Sequence, residues 1–308
     1  KPVDMVVLAV PQERTLAALQ DCANAKAKSV LLFTSQFAES GEEGERLQAQ
    51  LTAVAKQAGI RILGPNCMGF MNSHADLCLL NATVLKDADQ LIKGNLALIS
   101  QSGALAGAML ARAYTLGKGF SFCVSLGNQA DLEICDFLEY AISDDKSKII
   151  LLYVEGLKSP QRFMKLLHQA KAAGKPVLMV KAGRTAAGTR AVQSHTASMA
   201  GEYLAFEASV RDAGVAVIDD FIDMITFASA WQTLPAPASA AVGVFSGSGG
   251  GGAVTSDMVS EMGLPLAELS EGTVARLLDL MPAANAHLPF DVGAVPSPML
   301  ASHPKWVE

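Results

Sequence analysis

The chain reads as α/β, built from consecutive parallel-sheet units. Three observations carry this reading. Near-continuous apolar runs, at residues 3–10 and 148–154 among others, mark strands buried on both faces. Amphipathic helical stretches separate the runs, and strands alternating with helices are the pattern of a parallel sheet with crossovers. Two of the strands run directly into Ser/Gly turns that open a helix, Ser100-Gln-Ser-Gly103 and Ser246-Gly-Ser-Gly-Gly-Gly-Gly252.

Residues 3–10 form a strand that Pro11 ends, and 13–25 a helix. A second strand at 29–34 precedes a helix at 42–58 with Leu47, Leu51, Val54, Ala55 and Ala58 on one face. A short third strand at 60–63 ends in Gly64-Pro-Asn-Cys-Met-Gly69. Ligands of open α/β sheets sit beyond the carboxyl ends of strands, which puts Asn66 and Cys67 within reach of one. A Gly-Pro turn over a buried thiol accounts for the same residues equally well.

The next unit opens at Lys93-Gly-Asn95, with a strand at 96–99, the Ser100–Gly103 turn and an apolar helix at 104–114. A strand at 120–125 ends in the polar loop Leu126-Gly-Asn-Gln-Ala-Asp131, and the strand 148–154 ends in Glu155-Gly156. Ser159-Pro160 supplies an N-cap and a first-position proline. The helix that follows buries Phe163, Leu166, Leu167 and Ala170 and leaves His168 to solvent. The strand 176–181 leads into a loop from Arg184 to Gly201, rich in glycine and alanine, with two arginines and His195. A helix at 203–213, a strand at 214–218 and a helix at 221–231 close the unit. Beyond the linker Leu234-Pro-Ala-Pro-Ala-Ser239 the pattern restarts, with a strand at 240–245, the glycine run, a helix at 253–262 and a strand from 264–267.

Composition narrows the function classes. Half of the 308 residues are hydrophobic and 18% are charged, which excludes a disordered chain. The net charge of −6 argues against a general nucleic-acid binder. No apolar run approaches the roughly 20 residues that span a membrane, and the first residues read as a strand rather than a secretory leader. The five cysteines are widely spaced, without a C-x-x-C pair, and the five histidines have no ligand spacing. The expectation is reduced thiols in a cytoplasmic protein and no metal site.

The chemistry converges on phosphate. A strand, a Ser/Gly turn and a helix start aim free backbone N–H groups along the positive end of a helix dipole, which suits an anion at Ser102 and Gly103, although taken alone a plain strand–helix turn capped by Ser accounts for these residues better. The run Gly249, Gly250, Gly251 and Gly252 lets a second backbone approach an anion closely. A neutral imidazole attacks an activated phosphate, so His195 is the candidate acceptor of a phosphoryl group held between the two helix starts. A carboxylate such as Glu155, bonded to the other ring nitrogen, would orient the ring and stabilise the cation that forms.

Six segments, in order along nearly the whole chain, carry a family resemblance. They are Gly64-Pro-Asn-Cys-Met-Gly69, Ser100-Gln-Ser-Gly-Ala-Leu105, Ser125-Leu-Gly-Asn-Gln-Ala-Asp131, Tyr153-Val-Glu-Gly156, Lys181-Ala-Gly-Arg184 and Ser194-His-Thr-Ala-Ser-Met-Ala-Gly201. The chain resembles the α side of the NDP-forming acyl-CoA synthetase superfamily, which includes ADP-forming acetyl-CoA synthetase and succinyl-CoA synthetase. The resemblance implies a Rossmann-like CoA-binding domain at 1–92 lacking its N-terminal half, a flavodoxin-like domain at 93–233 with the phosphohistidine loop, and the incomplete start of a second flavodoxin-like domain at 240–308.

It also implies roles. His195 is the phosphorylated histidine and Glu155 the glutamate that supports it. Ser102 and Gly103 form one phosphate-binding helix start, and Gly249 to Gly252 the other. Asn66 and Cys67 lie near the thiol end of coenzyme A, and Asn128 near the acyl group. The implied reaction is acyl-CoA + phosphate + ADP ⇌ acid + CoA + ATP, through an acyl phosphate and a phosphohistidine. ATP or ADP with Mg2+ is bound by a β-like ATP-grasp domain or subunit outside this chain, and the assembly is an oligomer. An acyl-CoA-sensing module, or a relative that performs further chemistry on the activated acyl group, is the alternative. A nicotinamide-dependent oxidoreductase is more distant, and no G-x-S-x-G elbow supports a serine hydrolase.

Overall fold

The computed structural model describes residues 3–86, 90–195, 203–234, 237–281 and 287–291, with backbone alone for 191–195. The chain divides into two compact units, residues 1–234 and 235–308.

The first unit opens with a three-stranded parallel sheet. Its elements are β1 (Met5–Leu8), α1 (Gln12–Asn24), β2 (Ser29–Leu32), α2 (Glu42–Ala58) and β3 (Arg61–Leu63), and the strands lie in the order β1-β2-β3. Helix α2 has the predicted bounds. Glu42, Glu43 and Glu45 favour its positive end, and Gly59 stops it in the left-handed region, at φ +70°. Leu51 and Ala55 are buried and Leu47 and Val54 partly so. Ala58, expected on the same face, is exposed in the last turn. The expectation that the first strand is buried on both faces also fails. β1 is an edge strand of this sheet, and Val7 is 41% exposed.

A hairpin follows, β4 (Gly69–Asn72) and β5 (Leu77–Leu80), which the sequence reading did not anticipate. It joins the second sheet, pairing antiparallel with a strand of that sheet, although it lies within residues 1–92. The remaining elements are β6 (Lys93–Ser100), α3 (Gly103–Thr115), β7 (Phe120–Ser125), α4 (Ile134–Ser143), β8 (Ile149–Val154), α5 (Pro160–Ala172), β9 (Val177–Lys181), α6 (Ala186–His195), α7 (Tyr203–Asp212), β10 (Ala216–Val217) and α8 (Phe221–Thr233). The seven strands lie in the order β10-β9-β8-β6-β7-β4-β5. The five strands β6 to β10 are mutually parallel, in the flavodoxin-like order 2-1-3-4-5.

Strand alternation sends side chains to two buried layers. Ala97, Ile99, Ile150, Leu152 and Met179 pack in one core with α4, α5 and α7; Leu96, Leu98, Ile149, Leu151 and Leu178 pack in the other with α3 and α8. The α5 face is the predicted one, with Phe163, Leu166, Leu167 and Ala170 buried and His168 exposed.

The stretch from Arg184 to Gly201, expected as a loop, holds helix α6. The Thr185 hydroxyl accepts from the Gly188 N–H at 3.1 Å, an N-cap bond, and Ala186, Ala187, Arg190 and Ala191 favour the helix. His195 is its last residue. The side chain of His195 and residues 196–202 lie outside the described residues.

The second unit contains β11 (Phe245–Ser246), α9 (Gly249–Glu261), α10 (Glu271–Leu280) and β12 (Phe290–Asp291), with β11 and β12 parallel. The strand expected at 240–245 shrinks to β11 and a single bridge from Val242 to Leu266, and 264–267 contributes only that bridge. Gly249 to Gly252 do not precede the helix; they are its first turn, capped by Ser248. A small core of Leu277, Met281 and Phe290 closes this unit.

Candidate active site

In the 2-1-3-4-5 order the chain reverses direction across the sheet between β6 and β8. Ligands of such sheets bind at the carboxyl ends of the two strands that flank this switch point. Here those ends carry Ser100-Gln-Ser-Gly103 and Glu155-Gly156.

The first turn of α3 is a built helix start. Ser102 caps it by accepting from the Leu105 N–H at 3.4 Å. The Ser100 hydroxyl donates to the Ser102 carbonyl at 2.7 Å and accepts the Ser102 N–H at 3.2 Å. Helix geometry leaves the N–H groups of Gly103 and Ala104 without intrahelical partners, facing out of the turn. A Cβ on Gly103 would lie 2.6 Å from Cγ of Met68, so the Met68 side chain lies directly against this helix start.

Across the switch point, Gln101 holds the glutamate loop. Its Oε1 accepts from the N–H groups of Glu155 and Gly156, and its Nε2 donates to the Gly156 carbonyl at 2.7 Å. Lys181, at the end of β9, donates to the Glu155 carbonyl at 2.8 Å and to the Ala182 carbonyl, with Nζ 5.8 Å from the Phe206 ring centroid. Burial lowers the Lys181 ammonium from its ordinary value and the Glu155 charge opposes that shift. Burial also pushes the Tyr153 hydroxyl up to about 12, with the Glu155 charge adding to it. The Glu155 charge thus acts on both neighbours.

The third part is the meeting of two loops. The Asn128 N–H donates to the Pro65 carbonyl and the Ala130 N–H to the Gly64 carbonyl, each at 2.9 Å. Gly127 sits at φ +59°, where a Cβ would lie 2.1 Å from the Pro65 oxygen. Asn66 donates through Nδ2 to Oδ1 of Asn128 at 3.3 Å, and Asn128 donates to Gln48 at 2.9 Å and to the Glu39 carboxylate. Asn66 is exposed. Cys67 is 7% exposed, its thiol donates to the Leu32 carbonyl at 3.4 Å, and burial pushes it up to about 12. It is a neutral thiol packed beneath the loop, while Asn66 faces outward.

The first unit therefore gathers Asn66, Asn128, Ser102, Gly103 and Glu155 along one edge, formed by the carboxyl ends of β3, β6, β7 and β8. Helix α6, whose last residue is His195, follows the neighbouring strand β9. The sequence reading missed Gln101, Lys181 and Glu39, although Gln101 stands inside the very motif it singled out.

In the second unit the same local structure recurs. The Ser246 hydroxyl donates to the Ser248 carbonyl at 2.8 Å and accepts the Ser248 N–H at 3.1 Å, and Ser248 accepts from the Gly251 N–H at 3.4 Å. The shared signal is Ser-x-Ser-Gly, present at both helix starts. Asp291, at the end of β12, lies so close that a Cβ on Gly249 would stand 3.0 Å from its Oδ2. Among the described residues no group of three His, Cys, Asp or Glu could hold a metal ion, and no helix is long and apolar enough to cross a membrane.

Comparison with known proteins identifies two domains in the first unit. Residues 1–73 match the family described as a CoA binding domain, and residues 93–231 the succinyl-CoA ligase like flavodoxin domain. The chain is 39% identical over 280 residues to the α subunit of acetate–CoA ligase [ADP-forming] II from Pyrococcus furiosus, covering 91% of this chain and 60% of that one. It is 35% identical over 291 residues to acetate–CoA ligase [ADP-forming] from Methanocaldococcus jannaschii, covering 94% of this chain and 40% of that one. Among solved structures, acetyl-coenzyme A synthetase 1 of Ca. Korarchaeum cryptofilum, in complex with phosphate and ADP, superposes with a TM-score of 0.85 at 30% identity, over 95% of this chain and 62% of that one. The chain thus spans from 40% to about 60% of the length of these relatives. Two domains in this order, on this fold and with these relatives, establish that the chain belongs to the superfamily of NDP-forming acyl-CoA synthetases.

Proposed function

We propose that this chain is the acyl- and phosphoryl-handling part of an acid–CoA ligase that interconverts acyl-CoA, phosphate and ADP with a carboxylic acid, CoA and ATP. A phosphate oxygen attacks the thioester carbonyl, the C–S bond breaks and CoA leaves as its thiolate. A ring nitrogen of His195 then attacks phosphorus of the acyl phosphate, and the carboxylate leaves. The phosphohistidine passes its phosphoryl group to ADP.

The observation that carries the reading is the joining of Glu155 to the capped start of α3 at the switch point, beside the strand that leads to the helix ending in His195. The α3 N–H groups suit the phosphate oxygens, and Glu155 suits the imidazole nitrogen that does not react, stabilising the cation formed during transfer. Asn66 and Asn128 line the face where the thioester would lie. For coenzyme A, the outward Asn66 fits a polar contact beyond β3, whereas the inward Cys67 does not. ATP or ADP and Mg2+ belong to a β-like ATP-grasp part. The second helix start, at Ser248 and Gly249 to Gly252, suits a further phosphate.

The test is phosphorylation. The protein with its nucleotide-binding part, incubated with Mg-ATP, is expected to gain one acid-labile, base-stable phosphate by intact mass, and His195→Ala to gain none. A protein that binds ATP yet stays unphosphorylated would sink the relay.

A further inference from the structure

The ladder between β6 and β8 ends at Ser100 and Tyr153. On the other side β8 stays paired with β9 to Val154 and Lys181, and the Lys181 ammonium reaches the Glu155 carbonyl. Toward β6, Gln101 holds the loop. Both atoms of its carboxamide are spent on that loop, the oxygen on two consecutive N–H groups and the nitrogen on the Gly156 carbonyl. Its own N–H donates to the Tyr153 carbonyl at 3.2 Å. Gln101 is 7% exposed, so water competes little for these bonds. Its chain position is the decisive fact. It stands between Ser100 and Ser102, the two residues that build the anion-binding turn of α3. One residue therefore belongs to the helix start and, through its side chain, to the glutamate loop.

We propose that Gln101 is a positioning residue that holds Glu155 in fixed register with the anion-binding start of α3. The phosphate and the group that supports the imidazole then keep one relative position through the transfer. This rests on the function proposed above. The pairing is specific to a carboxamide. Methionine fills the space without a polar atom in the right place. Glutamate keeps the acceptor for both N–H groups and loses the donor to Gly156. Because the two loop N–H groups converge on an internal acceptor, the anion is left to the N–H groups of α3.

The experiment uses the protein with its nucleotide-binding part, wild type, Gln101→Met and Gln101→Glu. Labelling of His195 is followed in single turnover from inorganic phosphate and the acyl-CoA that labels wild type fastest. Amide exchange is read over residues 149–158. A displacement of about 1 Å costs on the order of 100-fold in rate. Gln101→Met is therefore expected to slow labelling about 10- to 100-fold, with the half-saturating phosphate concentration nearly unchanged. Exchange at Glu155 and Gly156 rises while β8 stays protected, and Gln101→Glu recovers part of the rate. Wild-type labelling by Gln101→Met, at an unchanged melting temperature, overturns the inference. A loss that only tracks unfolded protein, with Gln101→Glu no better than Gln101→Met, overturns it as well. A wild-type control that labels neither from acyl-CoA and phosphate nor from Mg-ATP defeats the proposed function itself, and this inference with it.

Discussion

Cys67 illustrates how a residue's neighbours decide its chemistry. Its position at the end of β3 is compatible with ligand contact, yet the side chain turns under the loop and donates to Leu32. Burial raises its pKa from 9.0 to about 12, and raises that of Cys135 from 9.0 to about 12. For such a group the unfolded chain loses its proton first as pH climbs. The stabilising contribution is whole below pH 9.0, the unfolded value, and is lost as pH rises toward about 12. The melting temperature is therefore expected to fall above about pH 9, and Cys67→Ser to change the alkaline limb. At pH 8 a thiol reagent on native protein is expected to modify the exposed Cys78 and spare Cys67. Fast modification of Cys67, read by peptide mass, would contradict the burial.

At the scale of elements, α6 matters most because it carries His195. Its cap, Thr185, follows the Lys181-Ala-Gly-Arg184 segment directly, and the small residues after it disguise a helix as a loop. Thr185→Ala is expected to cost about 1 kcal/mol of local helix stability. Amide exchange over residues 186–195 should accelerate while β9 stays protected; unchanged exchange would mean the cap bond contributes nothing. Helix α4 escaped detection for a related reason. Its cap is Glu133, paired in a capping box with Asp136, and glutamate is not among the residues that usually announce a helix start. By contrast the bounds of α2 and the start and apolar face of α5 were legible, since an apolar stripe and strong end signals agree there.

At the scale of the whole molecule, the division after Leu234 predicts independent folding. Among the described residues, 1–234 contain three of the four hydrophobic clusters. Expressed alone, they are expected to unfold cooperatively in denaturant, with the near-ultraviolet signal of packed aromatics. A gradual transition with strong dye binding would show that they depend on the rest of the chain.

The α/β class and most strands and helices could be read from the chain, and Asn66, Ser102, Asn128 and Glu155 could be placed just beyond strand ends, because hydrophobic period, caps and turn residues are local properties. Sheet membership could not. The hairpin of β4 and β5 follows β3 in sequence but pairs with β7, a choice made by partners about 50 residues away. The same holds for the clamp of Gln101 on Glu155, the contact of Asn66 with Asn128 and the inward turn of Cys67. Each depends on which strands lie side by side, and strand order is set by burial of both sheet faces in three dimensions, which no local stretch encodes by itself.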